Sequence, residues 1–305
     1  LILMDISLAG NLDGIETAEI ISHKYDLPVV YLTALTNNET LERARLTEPF
    51  GYLLKPFDER NLHSTIEMAL YKHKVDLELK KRTKELEAEK VKTDELLHNI
   101  FPAVIVKELK ANGFVNPKYY DSVSILFTDF DNFTSLASRL SAEKLVNELN
   151  HIFTSFDFII EKYGLEKLKT IGDSYMIAGG LPNVSNDHAV RITQAAVEMQ
   201  EVIKEVNSNH LFNCKMRVGI HTGPCVAGIV GIKKYTYDVW GDTVNIAKRL
   251  ETHCEPGAIN ITTATYEQIK NHFECEYRGS FEAKGKGELD MYFVKALKPS
   301  TVNIL

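Results

Sequence analysis

Lys169 and Asp173 lie four residues apart in LEKLKTIGDSYMIAGG, residues 165–180. Leu168, Ile171, Tyr175, Met176 and Ile177 predict two short strands, and Gly172 marks a tight turn between them. A hairpin places such a pair at one end but aims the two side chains differently, so one hairpin can serve two sites. An isolated pair of this kind is most often a salt-bridged turn, and it gains meaning only from matching parts elsewhere. Asp129 closes the strand-like run ILFTDF. Two carboxylates, Asp129 and Asp173, with a nearby backbone carbonyl can hold two hard divalent ions beside a polyphosphate. In YDVWGDTVNIAKRLE, Gly241 and Asp242 mark a helix start, with Asp242 as the expected N-cap. Asn245 and Arg249 then fall at i and i+4 on one face. Such a pair suits a ribose and a pentavalent phosphorus, because charge grows on the phosphate oxygens. Lys284 and Lys286 alternate with glycines in FEAKGKGE, a loop able to bring an ammonium close to phosphates.

These residues need a scaffold, and the pattern from about residue 119 to 297 supplies one. Strand-like runs are SVSILFTDF, LEKLKTIG, SYMIAGG, KMRVGIHTG, CVAGIVG, YTYDVW, AINIT and MYFVKAL. Helical runs are expected over 142–163, 187–206 and 242–252. The second carries an apolar stripe of Ala189, Ile192, Ala196, Met199 and Ile203. This order predicts an α+β layer with a mostly antiparallel sheet. Residues 1–70 read differently. LILMD suits a buried parallel strand that delivers Asp5 to its carboxyl edge. Helices over 12–23 and 38–47 alternate with strands over 27–32 and 50–54, and the latter two deliver Thr33 and Lys55. Reactive groups gather at that edge of an open α/β sheet.

Composition bounds the function. The chain has 305 residues, for which two domains is the default. The net charge of −7 and pI near 5.8 exclude the basic stripe of a nucleic-acid surface. Any phosphate ligand must be held by local cations, helix ends or metals. The four cysteines, Cys214, Cys225, Cys254 and Cys275, show no CxxC and read as reduced thiols of a cytoplasmic protein. No apolar run approaches the roughly 20 residues of a membrane span, and no signal peptide is visible. Residue 1 is Leu, so the N-terminus is expected to have been cut back.

Residues 62–100 contain neither Gly nor Pro and predict one long helix, nearly 60 Å at about 1.5 Å per residue. Leu79, Leu86, Thr93 and Ile100 share one heptad position, while the partner positions Thr83, Lys90 and Leu97 are mostly polar. Both a solvated linker helix and a marginal parallel coiled coil fit this pattern. The second is preferred because it would pair the domains at both ends.

Two resemblances join these parts. LILMDISL, NLDGIETA, VVYLTA and FGYLLKPF resemble the C-terminal part of a response-regulator receiver. That resemblance makes Asp5 the phospho-acceptor, Thr33 and Lys55 contacts of the phosphoryl group, and Tyr52 the switch aromatic. It implies an upstream histidine kinase as phosphodonor. A receiver begins with a further strand, an acidic turn, a helix, a second strand and a second helix, and none of these precedes Leu1. The sheet that remains is expected to be half covered. FTDFDNFT, EKLKTIGDSYM, RVGIHTGP, YDVWGDTVNIAKR and AKGKGE, in this order, resemble the catalytic domain of class III nucleotidyl cyclases. LLHNIFP resembles the transducer element before such domains. Asp131-Asn132 departs from the apolar residue and Gly that many relatives have there.

The expected fold is multidomain, α/β and then α+β. A partial doubly wound, flavodoxin-like receiver covers 1–70. A helical linker and transducer covers 71–100, and a connecting segment 101–118. A ferredoxin-like cyclase domain covers 119–297, with a tail over 298–305. By the same resemblance Asp129, Asp173 and the carbonyl of Phe130 bind two Mg²⁺ or Mn²⁺ per site. Lys169 and Asp238 read the purine, Asn245 orients the ribose and Arg249 stabilises the transition state. Lys284, and Arg217 from the other chain, bind phosphates. The site is implied to lie between two catalytic domains of a symmetric homodimer. The implied activity is conversion of ATP to 3′,5′-cyclic AMP and diphosphate under receiver control. The alternatives are a guanylate cyclase, or a catalytically silent nucleotide-binding dimer. Relatives that use GTP typically have Glu and Cys where this chain has Lys169 and Asp238.

Overall fold

The computed structural model describes residues 1–9, 11–34, 38–131, 133, 137–138, 141–208, 214–231, 233–283 and 285–299. They form two compact units, Leu1–Leu96 and Leu97–Leu305.

The first unit holds a parallel three-stranded sheet in the order β1 (Ile2–Asp5), β2 (Val29–Thr33), β3 (Gly51–Leu54). Helix α1 (Gly14–Tyr25) starts on a capping box. The Asp13 carboxylate accepts from the backbone N–H of Ile15 and Glu16, and Glu16 accepts from the N–H of Asp13. Gly14 is required there, because a Cβ would lie 1.9 Å from the carbonyl oxygen of Asp5. Helix α2 (Asn38–Leu46) follows. One sheet face packs Met4, Val29 and Tyr31 against Ile15, Ala18 and Ala44. On the other, Val30 and Leu53 pack against Ala69 of α3 (Glu59–His98). The expected half-covered sheet is thus covered on its second face by the start of α3, although Leu3 on β1 and Leu1 just before it remain exposed. Helix α3 is continuous over 40 residues, and Leu79 and Leu86 on its expected seam are 62% and 66% exposed.

The second unit opens with α4 (Ala103–Asn112) and a long strand, β4 (Lys118–Phe130). Helix α5 (Ala142–Lys162), the hairpin β5 (Glu166–Ile171) and β6 (Ser174–Gly179), and helix α6 (His188–Ser208) follow. Next come β7 (Met216–Val230), β8 (Thr236–Trp240), α7 (Asp242–Thr252) and β9 (Ile259–Thr262). Helix α8 (Thr263–Ile269), β10 (Phe273–Ala283) and β11 (Gly287–Leu297) complete it. The strand order is β10-β11-β9-β7-β4-β6-β5, with β8 paired to β7. Pairing is antiparallel except between β7 and β9.

KMRVGIHTG and CVAGIVG, read as two runs, form the single strand β7. Pro224, which lacks the ladder N–H, is accommodated because the β4–β7 register shifts between Tyr120 and Val123, opposite it. One sheet face buries Ile152, Phe156, Ile192, Ala196 and Met199 of α5 and α6. The other buries Phe101, Ile105 and Val106 around α4, with Tyr237, Val239 and Ala247. Helix α7 comes so close to β7 that a Cβ on Gly219 would lie 2.2 Å from the backbone nitrogen of Glu251. Cys214, Cys225 and Cys254 are buried free thiols, and Cys275 is half-buried. No helix among the described residues is long and apolar enough to cross a membrane.

Candidate active site

Gly172 has φ +64°, the left-handed value that the first central residue of a two-residue hairpin needs, and Ile171 pairs with Ser174 across the turn. The turn is tied to the end of β4. The hydroxyl of Ser174 donates to the carbonyl of Thr128 at 2.7 Å, and Tyr175 N–H donates to Thr128 Oγ1 at 3.2 Å. Asp173 is thereby brought to Asp129 and Phe130, and its Oδ2 accepts from the backbone N–H of Phe130 at 3.3 Å. Burial first, and the neighbouring Asp129 carboxylate second, push the Asp173 carboxyl above the usual range. A carboxyl whose ionisation is opposed by a neighbouring carboxylate fits a divalent cation. Phe130 adds a carbonyl at the same strand end. Two acids and a carbonyl leave room for phosphate oxygens to complete the ligand shells.

Arg217 stands opposite Asp129 in the β4–β7 register, and its Nη2 donates to Asp129 Oδ2 at 2.7 Å. Its Nε donates to Glu251 Oε1 at 3.0 Å, and its Nη1 lies 3.7 Å from Asp131 Oδ1. The expectation that Arg217 arrives from the other chain is therefore corrected. Strand pairing within one chain sets it beside its own chain's carboxylates. Asp131, the departure noted in the sequence, faces the same guanidinium.

Lys169, on the same hairpin as Asp173, turns to β8 and forms an ion pair with Asp238. The other oxygen of Asp238 accepts from the N–H of Val239 at 2.9 Å, which orients the carboxylate. Helix α7 starts at Asp242 and is capped by Gly241, whose φ is +143°. Asp242 is thus the first helical residue and not the N-cap. It pairs with Lys286 at 2.8 Å, which holds its carboxyl below the usual range. Asn245 is exposed and Arg249 half-exposed on α7. Among the described residues no ion pair or hydrogen bond engages the side chain of either, and none joins them to Asp129 or Asp173. Lys284 lies outside the described residues. In the first unit Lys55 pairs with Asp5 and holds its carboxyl below the usual range. Thr33 ends the neighbouring strand, and the half-buried Tyr52 packs on Tyr31 with ring centroids 5.9 Å apart.

Glu251 is a member of the site that the motifs do not reveal. Its one sequence signal is the spacing Lys248-x-x-Glu251, and Lys248 Nζ does pair with Glu251 Oε2 at 2.8 Å. That it also grips Arg217 depends on how α7 packs on β7.

Residues 115–296 match the family model described as the adenylate and guanylate cyclase catalytic domain, and residues 1–67 match the response regulator receiver domain. The chain is 38% identical over 231 residues to the receptor-type guanylate cyclase gcy-1 of Caenorhabditis elegans, across 73% of this chain and 20% of that protein. It is 37% identical over 211 residues to an adenylate cyclase of Mycobacterium bovis, across 68% of this chain and 47% of that protein. The chain thus spans only part of the length of either relative. The crystal structure of the guanylate cyclase domain of RhGC from Catenaria anguillulae in complex with GTP superposes with a TM-score of 0.56 at 36% identity, over 59% of this chain and 100% of that one. Catalytic domains of this family act on nucleotides as dimers and generally use divalent metal ions. With the two carboxylates, the Lys169–Asp238 pair and the Asn245/Arg249 face in place on one α+β domain, the chain belongs to the class III adenylate and guanylate cyclase family, with a response-regulator receiver domain at its N-terminal end.

Proposed function

We propose that this chain is an adenylate cyclase, a lyase that converts ATP to 3′,5′-cyclic AMP and diphosphate in a homodimer under receiver control. The observation that carries the choice of ATP is the Lys169–Asp238 pair. It presents one donor and one acceptor side by side. Adenine offers the complement, an amino donor beside a ring-nitrogen acceptor. Guanine reverses this polarity, with a carbonyl oxygen beside a ring N–H, and would set the Asp238 carboxylate against an acceptor. The relatives described as guanylate cyclases favour the second reading, GTP.

In the proposed reaction the ribose 3′-oxygen attacks the α-phosphorus in line. The new O–P bond forms as the bond to the bridging oxygen breaks, diphosphate leaves, and the hydroxyl proton passes to water or substrate. Divalent cations bound by Asp129, Asp173 and the Phe130 carbonyl would supply charge neutralisation and a more acidic 3′-hydroxyl. Asn245 orients the ribose and Arg249 meets the charge that develops on the α-phosphate. Arg217 and Lys284 hold the terminal phosphates. The carboxylates of one copy serve with the base-reading pair, Asn245 and Arg249 of a second. Asp5 is the proposed acceptor of a phosphoryl group from a histidine kinase, with Thr33, Lys55 and Tyr52 as its responders. Helix α3 carries that state onward.

Purified protein incubated separately with ATP and GTP, with Mg²⁺ or Mn²⁺, tests the reading by identification of the cyclic product. Cyclic AMP is expected. Cyclic GMP as the sole product selects the second reading, and no cyclic product with either nucleotide rejects both.

A further inference from the structure

Glu251 is an acid that is 1% exposed, yet its charge is fully matched. Arg217 Nε donates to one oxygen at 3.0 Å and Lys248 Nζ pairs with the other at 2.8 Å. A carboxylate withdrawn from water this far is costly unless paired in this way. The same guanidinium reaches Asp129 through Nη2 at 2.7 Å. One arginine is therefore held at its Nε edge by Glu251, while its Nη edge holds Asp129. The backbone under this link is close-set, since α7 touches β7 at Gly219 with no room for a Cβ. Glu251 follows Arg249 by two residues, about 200° around the helix. It points away from the face that carries Asn245 and Arg249.

We propose that Glu251 is a positioning residue for the carboxylate half of the active site, although it lies on the helix that supplies the other half. By anchoring Arg217 it sets where Asp129 stands. Its grip on Nε leaves the Nη edge as the part that exchanges Asp129 for a phosphate oxygen. Each copy then contains a rigid link from the carboxylates of one site to the helix that serves the other. This inference rests on the shared-site reading above.

The test places one substitution in two contexts. A chain with Asn245→Ala keeps a sound carboxylate half, and a chain with Asp173→Ala keeps a sound α7 half. Mixed, they are expected to regain activity at one site. Glu251→Gln added to the Asn245→Ala chain is expected to lower that activity roughly tenfold and raise the Mn²⁺ concentration for half activation. Added to the Asp173→Ala chain, it is expected to change activity less than about twofold. Equal loss in both contexts, or loss only in the second, overturns the proposal. If the parent mixture stays inactive after subunit exchange is demonstrated, the shared-site reading fails instead. Direct Mn²⁺ binding to the full chain by electron paramagnetic resonance then decides the role of Glu251. Weakening of roughly tenfold by Glu251→Gln, with cooperative unfolding retained, supports it. Unchanged affinity overturns it. Should Glu251→Gln not fold, Glu251→Asp retains the charge but withdraws it from Arg217, and the same outcomes apply.

Discussion

Lys169 and Asp173 stand four residues apart on one hairpin and serve different partners. Lys169 pairs with Asp238 on β8, whereas Asp173 accepts from the N–H of Phe130 at the end of β4. The turn at Gly172 divides them: one side chain leaves from the strand and the other from the loop tip. This division is what a site assembled from two copies requires, because one hairpin then works in two places.

The carboxylate end of the hairpin has the plainest consequence. Asp129→Ala or Asp173→Ala is expected to lower turnover by at least about 100-fold, since each removes a cation ligand worth several kcal/mol of charge stabilisation. The dimer should persist in light scattering, because neither side chain belongs to the buried core. Turnover at the parent rate in either variant would show that these acids hold no catalytic metal.

The other end sets the base. Lys169→Glu together with Asp238→Cys is expected to cut kcat/KM for ATP by about 100-fold and to raise it for GTP, because the donor and acceptor positions are exchanged. The ratio of the two nucleotides' kcat/KM is the measurement. An unchanged ratio would remove the pair from base recognition.

His221 provides a pH signature of the catalytic unit. It is buried, bonded through Nδ1 to Thr262 Oγ1 at 2.7 Å, and burial pushes its pKa down to about 4. Between there and the ordinary value near 6.5, the unfolded chain binds more protons than the folded one. This contribution is complete above about 6.5 and is lost as pH falls toward 4. Glu166 acts in the opposite sense. Burial raises its carboxyl to about 7, so its contribution weakens as pH rises through the interval from 4.5. The informative quantity is therefore a difference. His221→Gln is expected to lower the change in urea-derived stability from pH 5 to pH 7 by about 2 kcal/mol relative to the parent, leaving the Glu166 loss unopposed. Parallel profiles would place the His221 proton equilibrium elsewhere.

Helix α3 should transmit phase as well as length. Leu79 and Leu86 are exposed on one line of a continuous 40-residue helix, available to a second copy. Deleting seven residues within 80–92 is expected to preserve the seam and much of the activity. Deleting three or four leaves the catalytic unit turned by about 40–60° about the helix axis, and a misplacement of about 1 Å between site halves costs roughly 100-fold. Cyclase rates across such a deletion series decide the matter, and rates indifferent to the number deleted would reduce the helix to a tether.

Much of this protein was legible in its sequence, for reasons that are local. Hydrophobic period, capping and turn residues act over a few positions, so the hairpin at Gly172, the helix Asp242–Thr252, the strands that end at Asp5 and Thr33 and the strand that carries Asp129 beside its end follow from neighbours in the chain. The spacing of Asn245 and Arg249 likewise needs only the helical repeat. Pairing across the sheet was beyond that reach. Arg217 is 88 residues from Asp129, and only the β4–β7 register sets them side by side in one chain. Pro224 hid the continuity of β7, because its tolerance depends on a bulge in the strand opposite. Asp242 looked like a cap, but Gly241 takes that place with a φ closed to other residues. Beyond its spacing from Lys248, Glu251 carried no signal of its grip on Arg217, since an acid on a helix is ordinarily solvated. Its role arises only where α7 presses on β7 at Gly219 and removes the water that would otherwise satisfy it.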